Sequence, residues 1–519
     1  MKQKNILLLI AYFLIGFTSS FAQQDSIALK YAATITQADL SKHLHIIASD
    51  EYGGRETGKE SLTKAAAYIS DFYKQIGIPP IKDIAYYQTY KVGLQEAEGV
   101  SITHNNKKFI QNNHFFNFPA YLKNEQINTE VVFAGYGIDD SLYSDYTNLD
   151  VKGKVVLILN GEPKNKSERY WVSNTDTPSK WSNKRNNPKV ATAKEKGALA
   201  LLIINENTPE MIKTYTHFIE SEKLKVLDKP EINYDFPNFY ISSEMADEIL
   251  KKSTQKIKED INNKGVTKNI VAKDKLILNI DKKTTISDAH NVLAYIEGSD
   301  LKDELIILSA HYDHIGEHNG KIFNGADDDG SGTVAIMEIA EAFIKAKQDG
   351  NGPRRSILVL NVSGEEKGLL GSKYYTEHPV FPLKNTVANL NIDMIGRLDE
   401  KHADNENYIY IIGSNMLSND LHEINEKANV TYTQLELDYE FNTTKDPNRY
   451  YYRSDHYNFA KNNIPVIFYF NGVHEDYHKE TDTVDKIIFS KMEKITRLVF
   501  HTAWDLANRN ERIQLNVSE

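Results

Sequence analysis

The stretch ELIILSAHYD, residues 304–313, decides the fold, because an apolar run is followed at once by His311 and Asp313. Continuous apolar runs of this length are typical of strands that are buried on both faces of a sheet. Similar runs follow downstream as SILVLNV (356–362), NLNIDMI (389–395), NYIYIIG (407–413) and PVIFYF (465–470). Residues 333–347 have helical spacing. This alternation predicts an α/β fold with a mostly parallel central sheet and helices on both faces.

Acidic and histidine residues stand at the predicted ends of these strands, where open α/β sheets bind their ligands. They include His311, the aspartate run around Asp328, the pair Glu365-Glu366, Asp393 and His478. Taken singly, each has an ordinary explanation as a loop, cap or surface residue. A carboxylate in an apolar strand, as at Asp393, needs a strong partner to offset its desolvation. Together, nitrogen and oxygen donors at successive strand ends predict a site for divalent metal ions.

The composition limits the possible functions. The 519 residues include 40% hydrophobic and 26% charged residues, as is usual for a folded protein of several domains. Cysteine is absent, which excludes disulfides, thiolate nucleophiles and Cys-ligated zinc. The formal net charge is −11, so the chain has no basic excess and no nucleic-acid partner is predicted.

The first 22 residues are typical of a secretory signal peptide. Lys2 and Lys4 precede an apolar stretch over 6–17, and Ser20 and Ala22 are the small residues of a cleavage site. An apolar stretch of about 12 residues is shorter than the roughly 20 needed to span a bilayer. We therefore expect export to the periplasm or the medium, with no membrane span after cleavage.

The chain changes character between residues 120 and 262. Short runs rich in β-branched residues alternate there with loops, as in TEVVFAGYGI (129–138) and KVVLILNGEP (154–163). Upstream, residues 36–48 and 60–76 have helical spacing. The predicted organisation is a signal peptide and a main domain in two parts, with a smaller β-rich domain inserted between them; the four segments are 1–22, 23–119, 120–262 and 263–519.

Five segments carry a specific family resemblance: SAHYDHIG, NGADDDGSGT, LNVSGEEKGLLGSKYY, NIDMIGR and DYHKETDT. In this order they resemble the co-catalytic di-zinc metallopeptidases of bacterial leucine aminopeptidase and glutamate carboxypeptidase type. Residues 120–262 resemble the protease-associated (PA) domain that many members carry as an insertion. The resemblance implies the zinc exopeptidase fold, two Zn²⁺ per chain and a peptide substrate. It also implies a possible protein partner through the PA-like domain.

The resemblance assigns five metal ligands. His311 and Asp393 would bind one zinc ion, Glu366 and His478 would bind the other, and Asp328 would bridge both. A bridging carboxylate is needed to hold two cations about 3.5–4 Å apart.

Three further residues receive catalytic roles from the same resemblance. Glu365 would be the general base that takes a proton from the attacking water. Asp313 would accept the second ring N–H of His311 and fix its tautomer. Tyr477 matches a tyrosine that hydrogen-bonds the oxyanion in some members. The function predicted in this way is an exported di-zinc aminopeptidase.

Alternatives remain open at this point. The segment from His474 to His478 reads HExxH, a zincin motif that requires a helix and would make Glu475 the base. A carboxypeptidase or dipeptidase of the same fold would need a basic residue to hold the substrate carboxylate. A metal-free relative that only binds a partner is a further alternative. The remaining histidines singled out as structural or exposed are His290, His314, His318, His456 and His501.

Overall fold

The computed structural model describes residues 24–183, 185–227 and 232–516. The predicted signal peptide, residues 1–22, lies outside the described residues. The chain divides into two compact units: one combines the described residues up to Gln88 with those from His290 onwards, and the other is Thr89–Ala289. The predicted insert, residues 120–262, lies inside the second unit, which extends further at both ends.

The larger unit is built on a mixed sheet. Its strands in spatial order are Glu436–Asp438, Tyr408–Ile412, Val466–Phe470, Thr386–Ile392, Leu301–His311, Arg355–Val362 and Thr284–Ile296, the last of which enters this unit at His290. Leu301–His311 is parallel to both of its neighbours. Thr386–Ile392 is likewise parallel to Val466–Phe470. Antiparallel pairs join Tyr408–Ile412 and Thr284–Ile296 to this parallel centre.

The central strands are buried along their length. Every residue of Arg355–Val362, Thr386–Ile392 and Val466–Phe470 is buried. Such strands require cover on both faces, which is why their sequences read as continuous apolar runs rather than alternating ones. The predicted α/β class with a mostly parallel central sheet is confirmed.

Helices accompany this sheet. They are Ser26–Ala32, Gln37–Ile47, Glu60–Gln75, Gly332–Gln348, Leu370–Glu377, Asn419–Ala428, His456–Ala460 and Phe489–Asn508. Gln37–Ile47 begins where predicted, because the Thr36 hydroxyl accepts a hydrogen bond from the Asp39 N–H as its N-cap. Gly332–Gln348 is buried over most of its length and follows directly on the aspartate run. In the described part of the chain, no helix is long and apolar enough to cross a membrane.

The second unit contains, within its described residues, two sheets and a separate antiparallel pairing of Lys223–Val226 with the end of the strand Tyr87–Gln95. One sheet has the strands Lys107–Ile110, Val100–His104, Leu276–Ile280 and Glu125–Thr129; the other has Ile270–Val271, Val131–Phe133, Val155–Leu159, Ala200–Ile204, Asn238–Ile241 and Phe115–Phe116. Its helices include Asn187–Glu195, Thr208–Thr214, Ser243–Leu250 and Thr254–Lys264. Val100–His104 and Leu276–Ile280 pair directly with each other. This pairing brings residues on both sides of the predicted insert into the same unit.

Candidate metal centre

The candidate site lies at the carboxyl ends of the parallel strands. His311 is the last residue of its strand, and Asp393 directly follows the strand that ends at Ile392. The sequence context of Asp393 suggested a position inside the strand. The structure instead places Asp393 just beyond the strand's end. Asp328 belongs to the turn Ala326–Ser331 that leads into Gly332–Gln348. Because parallel strands present their carboxyl ends at the same edge, residues far apart in sequence meet here.

One group of possible ligands consists of His311, Asp328 and Asp393. The Nε2 atom of His311 lies 3.2 Å from Asp328 Oδ1 and 3.5 Å from Asp393 Oδ1. All three residues are buried, and one donor atom from each lies within 4.8 Å of the others. One imidazole and two carboxylates at this spacing can surround a single divalent ion.

A second group uses the other oxygen of the same aspartate. Asp328 Oδ2 lies 3.2 Å from the Nε2 atom of His478, which in turn lies 3.2 Å from Glu366 Oε2. Asp328 thus directs Oδ1 to one group and Oδ2 to the other. This is the arrangement that a carboxylate bridging two ions requires.

His314 is a residue that the sequence reasoning missed. It was predicted to be structural or exposed, and it is fully buried with Nδ1 2.9 Å from Glu366 Oε1. His314, Asp328 and Glu366 form a group of possible metal ligands. The available signal was its position, three residues after His311 at the same strand end. His314 is therefore an additional candidate ligand on the Glu366 side.

Neighbouring aspartates hold the ligand-bearing segments together. The carboxylate of Asp329 accepts hydrogen bonds from the main-chain N–H groups of His311, at 3.2 Å, and Met394, at 3.1 Å. Asp482 accepts the N–H groups of both Asp327 and Asp328. These acceptors position the backbone on which the candidate ligands stand, and the sequence analysis assigned them no role.

Asp313 contacts His311 through a different atom from the one expected. The ring Nδ1 of His311 lies 3.0 Å from the main-chain carbonyl oxygen of Asp313 and 3.8 Å from its carboxylate. The carboxylate instead accepts hydrogen bonds from the Glu365 N–H, at 3.1 Å, and from the Thr57 hydroxyl, at 2.9 Å. The carbonyl therefore sets the tautomer of His311, which leaves Nε2 as the ligand atom, while the carboxylate orients the segment carrying Glu365.

Glu365 lies next to the first group of candidate ligands but belongs to neither of the two groups. Its Oε2 lies 4.0 Å from His311 Nε2, further away than the oxygens of Asp328 and Asp393. Burial, together with the nearby carboxylates of Glu366 and Asp393, raises the pKa of Glu365 well above its usual value. A carboxylate in this position, with raised proton affinity, is suited to take a proton from a water held between it and the ligands.

Several nitrogen and oxygen atoms of the candidate ligands are buried without a hydrogen bond, as expected for atoms that bind cations. Burial lowers the pKa of His478, but the adjacent carboxylates of Asp328 and Glu366 outweigh it and raise the value to about 10. Although Asp328 Oδ2 lies near the ring of His478 and Glu366 Oε1 near that of His314, neither oxygen makes a hydrogen bond of acceptable geometry, and neither ring nitrogen of His314 does so. Buried polar atoms are rarely left unpaired in native proteins. Oxygen and nitrogen donors unsatisfied in this way match the preferences of divalent ions such as Zn²⁺.

A cavity opens beside the two groups. Apolar residues, among them Met394, Phe468, Phe470 and Val473, form part of its lining. Tyr477 also lines it, with its ring stacked on that of His478 at 3.8 Å between centroids.

The zincin alternative does not fit the local structure. His474–His478 lies in a turn rather than a helix, so its histidines do not share a helical face. The Nε2 atom of His474 lies 3.2 Å from Asp327 Oδ2, away from the two groups, and Glu475 is exposed. Of the three residues that define the motif, His474, Glu475 and His478, only His478 reaches the candidate site.

Comparison with protein families agrees with this site. Residues 291–503, which contain every candidate ligand, match the sequence model of peptidase family M28. Over these residues the chain is similar to that family.

Curated relatives carry the names of two kinds of exopeptidase. A probable leucine aminopeptidase of Arthroderma otae is 29% identical over 228 residues, covering 42% of this chain and 58% of the relative. A probable glutamate carboxypeptidase of Arabidopsis thaliana is 38% identical over 112 residues, covering 21% of this chain and 15% of the relative. The chain thus spans less than two thirds of the length of these relatives.

A solved structure shares the fold over most of the chain. The aminopeptidase from Aneurinibacillus sp. strain AM-1 superposes with a TM-score of 0.53 at 18% identity, covering 95% of this chain and 98% of its own. At this identity, the similarity shows a common fold.

Proposed function

We propose that the chain is an exported exopeptidase that binds two Zn²⁺ and removes N-terminal residues from peptides. One observation carries the proposal: Asp328 directs one carboxylate oxygen to His311 and the other to His478, each at 3.2 Å. A carboxylate facing two separate groups of ligands is what a pair of neighbouring ions requires. The match of residues 291–503 to a peptidase family supports hydrolysis of a peptide bond as the reaction.

The roles of the ligands follow from their positions. His311 and Asp393 hold one ion, Glu366 and His478 hold the other, and Asp328 joins them. His314 adds a further nitrogen on the Glu366 side. When bound, two such ions polarise the scissile carbonyl and lower the pKa of a water molecule between them.

Glu365 is the proposed general base. It accepts a proton from the attacking water and returns it to the leaving amine, because it lies beside the ligands without being one of them. Asp313 keeps Glu365 in place through the hydrogen bond to its N–H.

Tyr477 is the proposed donor to the oxyanion. An arginine can only donate hydrogen bonds, so when Arg453 Nη2 bonds the Tyr477 oxygen at 3.3 Å, the phenolic hydrogen stays free to point at the substrate. The Tyr477 hydroxyl would then stabilise negative charge on the substrate oxygen as the water attacks.

A carboxypeptidase or dipeptidase is the second candidate function. It is favoured by Arg453, the basic residue that lines the cavity, and one relative bears a carboxypeptidase name. A metal-free binding protein is less well supported, because all five predicted ligands and Glu365 are present. Export through residues 1–22 and partner binding by the second unit belong to the proposal as sequence-based expectations.

Substrates with one blocked end test the proposal. Leucyl-glycinamide presents only a free amine, whereas acetyl-leucyl-glutamate presents only a free carboxylate. An aminopeptidase cleaves the first and spares the second, and a carboxypeptidase does the reverse. Activity lost with a chelator and restored by Zn²⁺ supports the metal requirement. Cleavage of neither substrate by zinc-loaded protein would overturn the proposed function.

A further inference from the structure

Arg453 lines the cavity beside the candidate metal centre. The cavity is lined by the carboxylates of Asp328, Glu365 and Asp393. Among the described residues that line it, Arg453 is the only lysine or arginine. Among those residues, no carboxylate lies within 4.0 Å of the Arg453 guanidinium to neutralise it. An arginine without an acidic partner at a substrate cavity can still receive an anion.

Two tyrosines contact the guanidinium of Arg453, whose side chain is otherwise exposed. Its Nη2 donates to the Tyr477 hydroxyl at 3.3 Å, and its central carbon lies 5.1 Å from the centroid of the Tyr450 ring. Both tyrosines line the same cavity. A planar guanidinium held over a ring keeps its remaining N–H groups available, and its fork geometry matches a carboxylate.

The surroundings favour a carboxylate over a phosphate or a neutral group. Four ligand or base carboxylates border the site, so two bound ions would leave little net positive charge for a doubly charged anion. The apolar walls at Met394, Phe468 and Phe470 suit a short aliphatic chain. An aliphatic chain ending in a single negative charge is the chemistry of an acidic side chain or of a peptide C-terminus.

We propose that Arg453 is a specificity-determining residue that binds a carboxylate of the substrate, so that the enzyme favours short peptides with an acidic end. This inference rests on the proposed exopeptidase function. The carboxylate has two possible sources with the same chemistry: the side chain of an N-terminal Asp or Glu, or the α-carboxylate of a dipeptide.

Isosteric substrate pairs separate these sources. Glutamyl- and glutaminyl-p-nitroanilide differ only in the side-chain charge, and leucyl-glycine and leucyl-glycinamide differ only in the terminal charge. Wild-type protein is expected to favour the charged member of one pair in kcat/KM. Arg453→Met should lower that preference about 10- to 100-fold, as for loss of a hydrogen bond to a charged group. Arg453→Lys should recover part of it, because the charge returns without the fork.

Tyr477→Phe is the matched control. This change removes the hydrogen bond to Arg453 but keeps the guanidinium. It should therefore lower kcat/KM by the same factor for the charged and the neutral member of each pair. If Arg453→Met also lowers kcat/KM equally for all four substrates, Arg453 only positions Tyr477 and the inference is wrong. The inference is also wrong if wild-type protein has the same kcat/KM for the charged and the neutral member of each pair.

A binding measurement separates this inference from the proposed function. Calorimetry of zinc-loaded protein with glutamate against glutamine, and with leucyl-glycine against leucyl-glycinamide, needs no turnover. If no peptide is cleaved, the proposed function fails, and a charge preference in binding that Arg453→Met abolishes still supports carboxylate recognition. The absence of such a preference refutes it.

Discussion

Replacing Glu365 by Gln tests the assignment of the general base. The amide has the shape of the carboxylate but cannot take a proton, and the hydrogen bond that orients this residue runs through its main-chain N–H to Asp313, which the change leaves intact. The other carboxylates lining the cavity, those of Asp328 and Asp393, are candidate ligands and are not free to substitute. We therefore expect kcat to fall about 10⁴-fold, the upper end of the range for lost general-base catalysis.

This loss corresponds to about 5.4 kcal/mol of transition-state stabilisation, at 1.36 kcal/mol per factor of ten. Zinc content should stay at the wild-type value, because Glu365 belongs to neither ligand group. The assay is steady-state hydrolysis of leucyl-p-nitroanilide together with elemental analysis of the same protein. Glu475→Gln, a change of the exposed glutamate in the HExxH segment, is the control and should keep wild-type kcat. Turnover of Glu365→Gln within tenfold of wild type would refute the reasoning.

Three other predictions concern metal binding and stability. Asp328→Ala removes the shared carboxylate and should leave almost no bound zinc by elemental analysis; full occupancy would contradict the bridge. His314→Ala should weaken binding of one zinc ion about 10- to 100-fold in calorimetric titration, since it stands beside Glu366 rather than His311. An unchanged affinity would make it a purely structural residue. Burial raises the pKa of Glu338 to about 8, so wild-type protein should lose roughly 2–5 kcal/mol of stability as the pH rises from 4.5 through 8. Denaturant titrations of Glu338→Gln should not show this loss, and a parallel decline in the variant would contradict the assignment.

The sign of the pH effect follows from linkage. In the unfolded chain, Glu338 ionises near pH 4.5, whereas burial in the folded protein favours the protonated form up to about pH 8. The folded state therefore binds the additional proton between these values, and its stability falls as the pH rises. His43 Nε2 lies 3.4 Å away, but burial lowers the pKa of His43 to about 4, so it supplies no positive charge in this range.

The larger unit could be predicted from sequence because its central strands are buried on both faces. Continuous apolar runs mark such strands without knowledge of their partners, and helical spacing marks the elements between them. The extent of the second unit could not be predicted in the same way. Val100–His104 and Leu276–Ile280 alternate buried and partly exposed residues, and their pairing joins segments far apart in the chain.

Residue types at strand ends predicted most of the side chains that gather at the site. They did not identify the contacting atoms, since the acceptor for the His311 ring is the carbonyl of Asp313 rather than its carboxylate. His314 was missed because a lone histidine is usually structural; its position three residues after His311 was the available signal, and its distance to Glu366 marks it as a candidate ligand. Asp482 was missed because it acts through main-chain N–H groups, which leave no pattern in side-chain spacing.

Anomalous scattering at the zinc edge, from crystals grown with Zn²⁺, tests whether two ions share Asp328. We expect two peaks about 3.5–4 Å apart, one against His311 and Asp393, the other against Glu366 and His478, with an oxygen of Asp328 at each. A single peak, or peaks displaced to His474, would rule out the bridged pair.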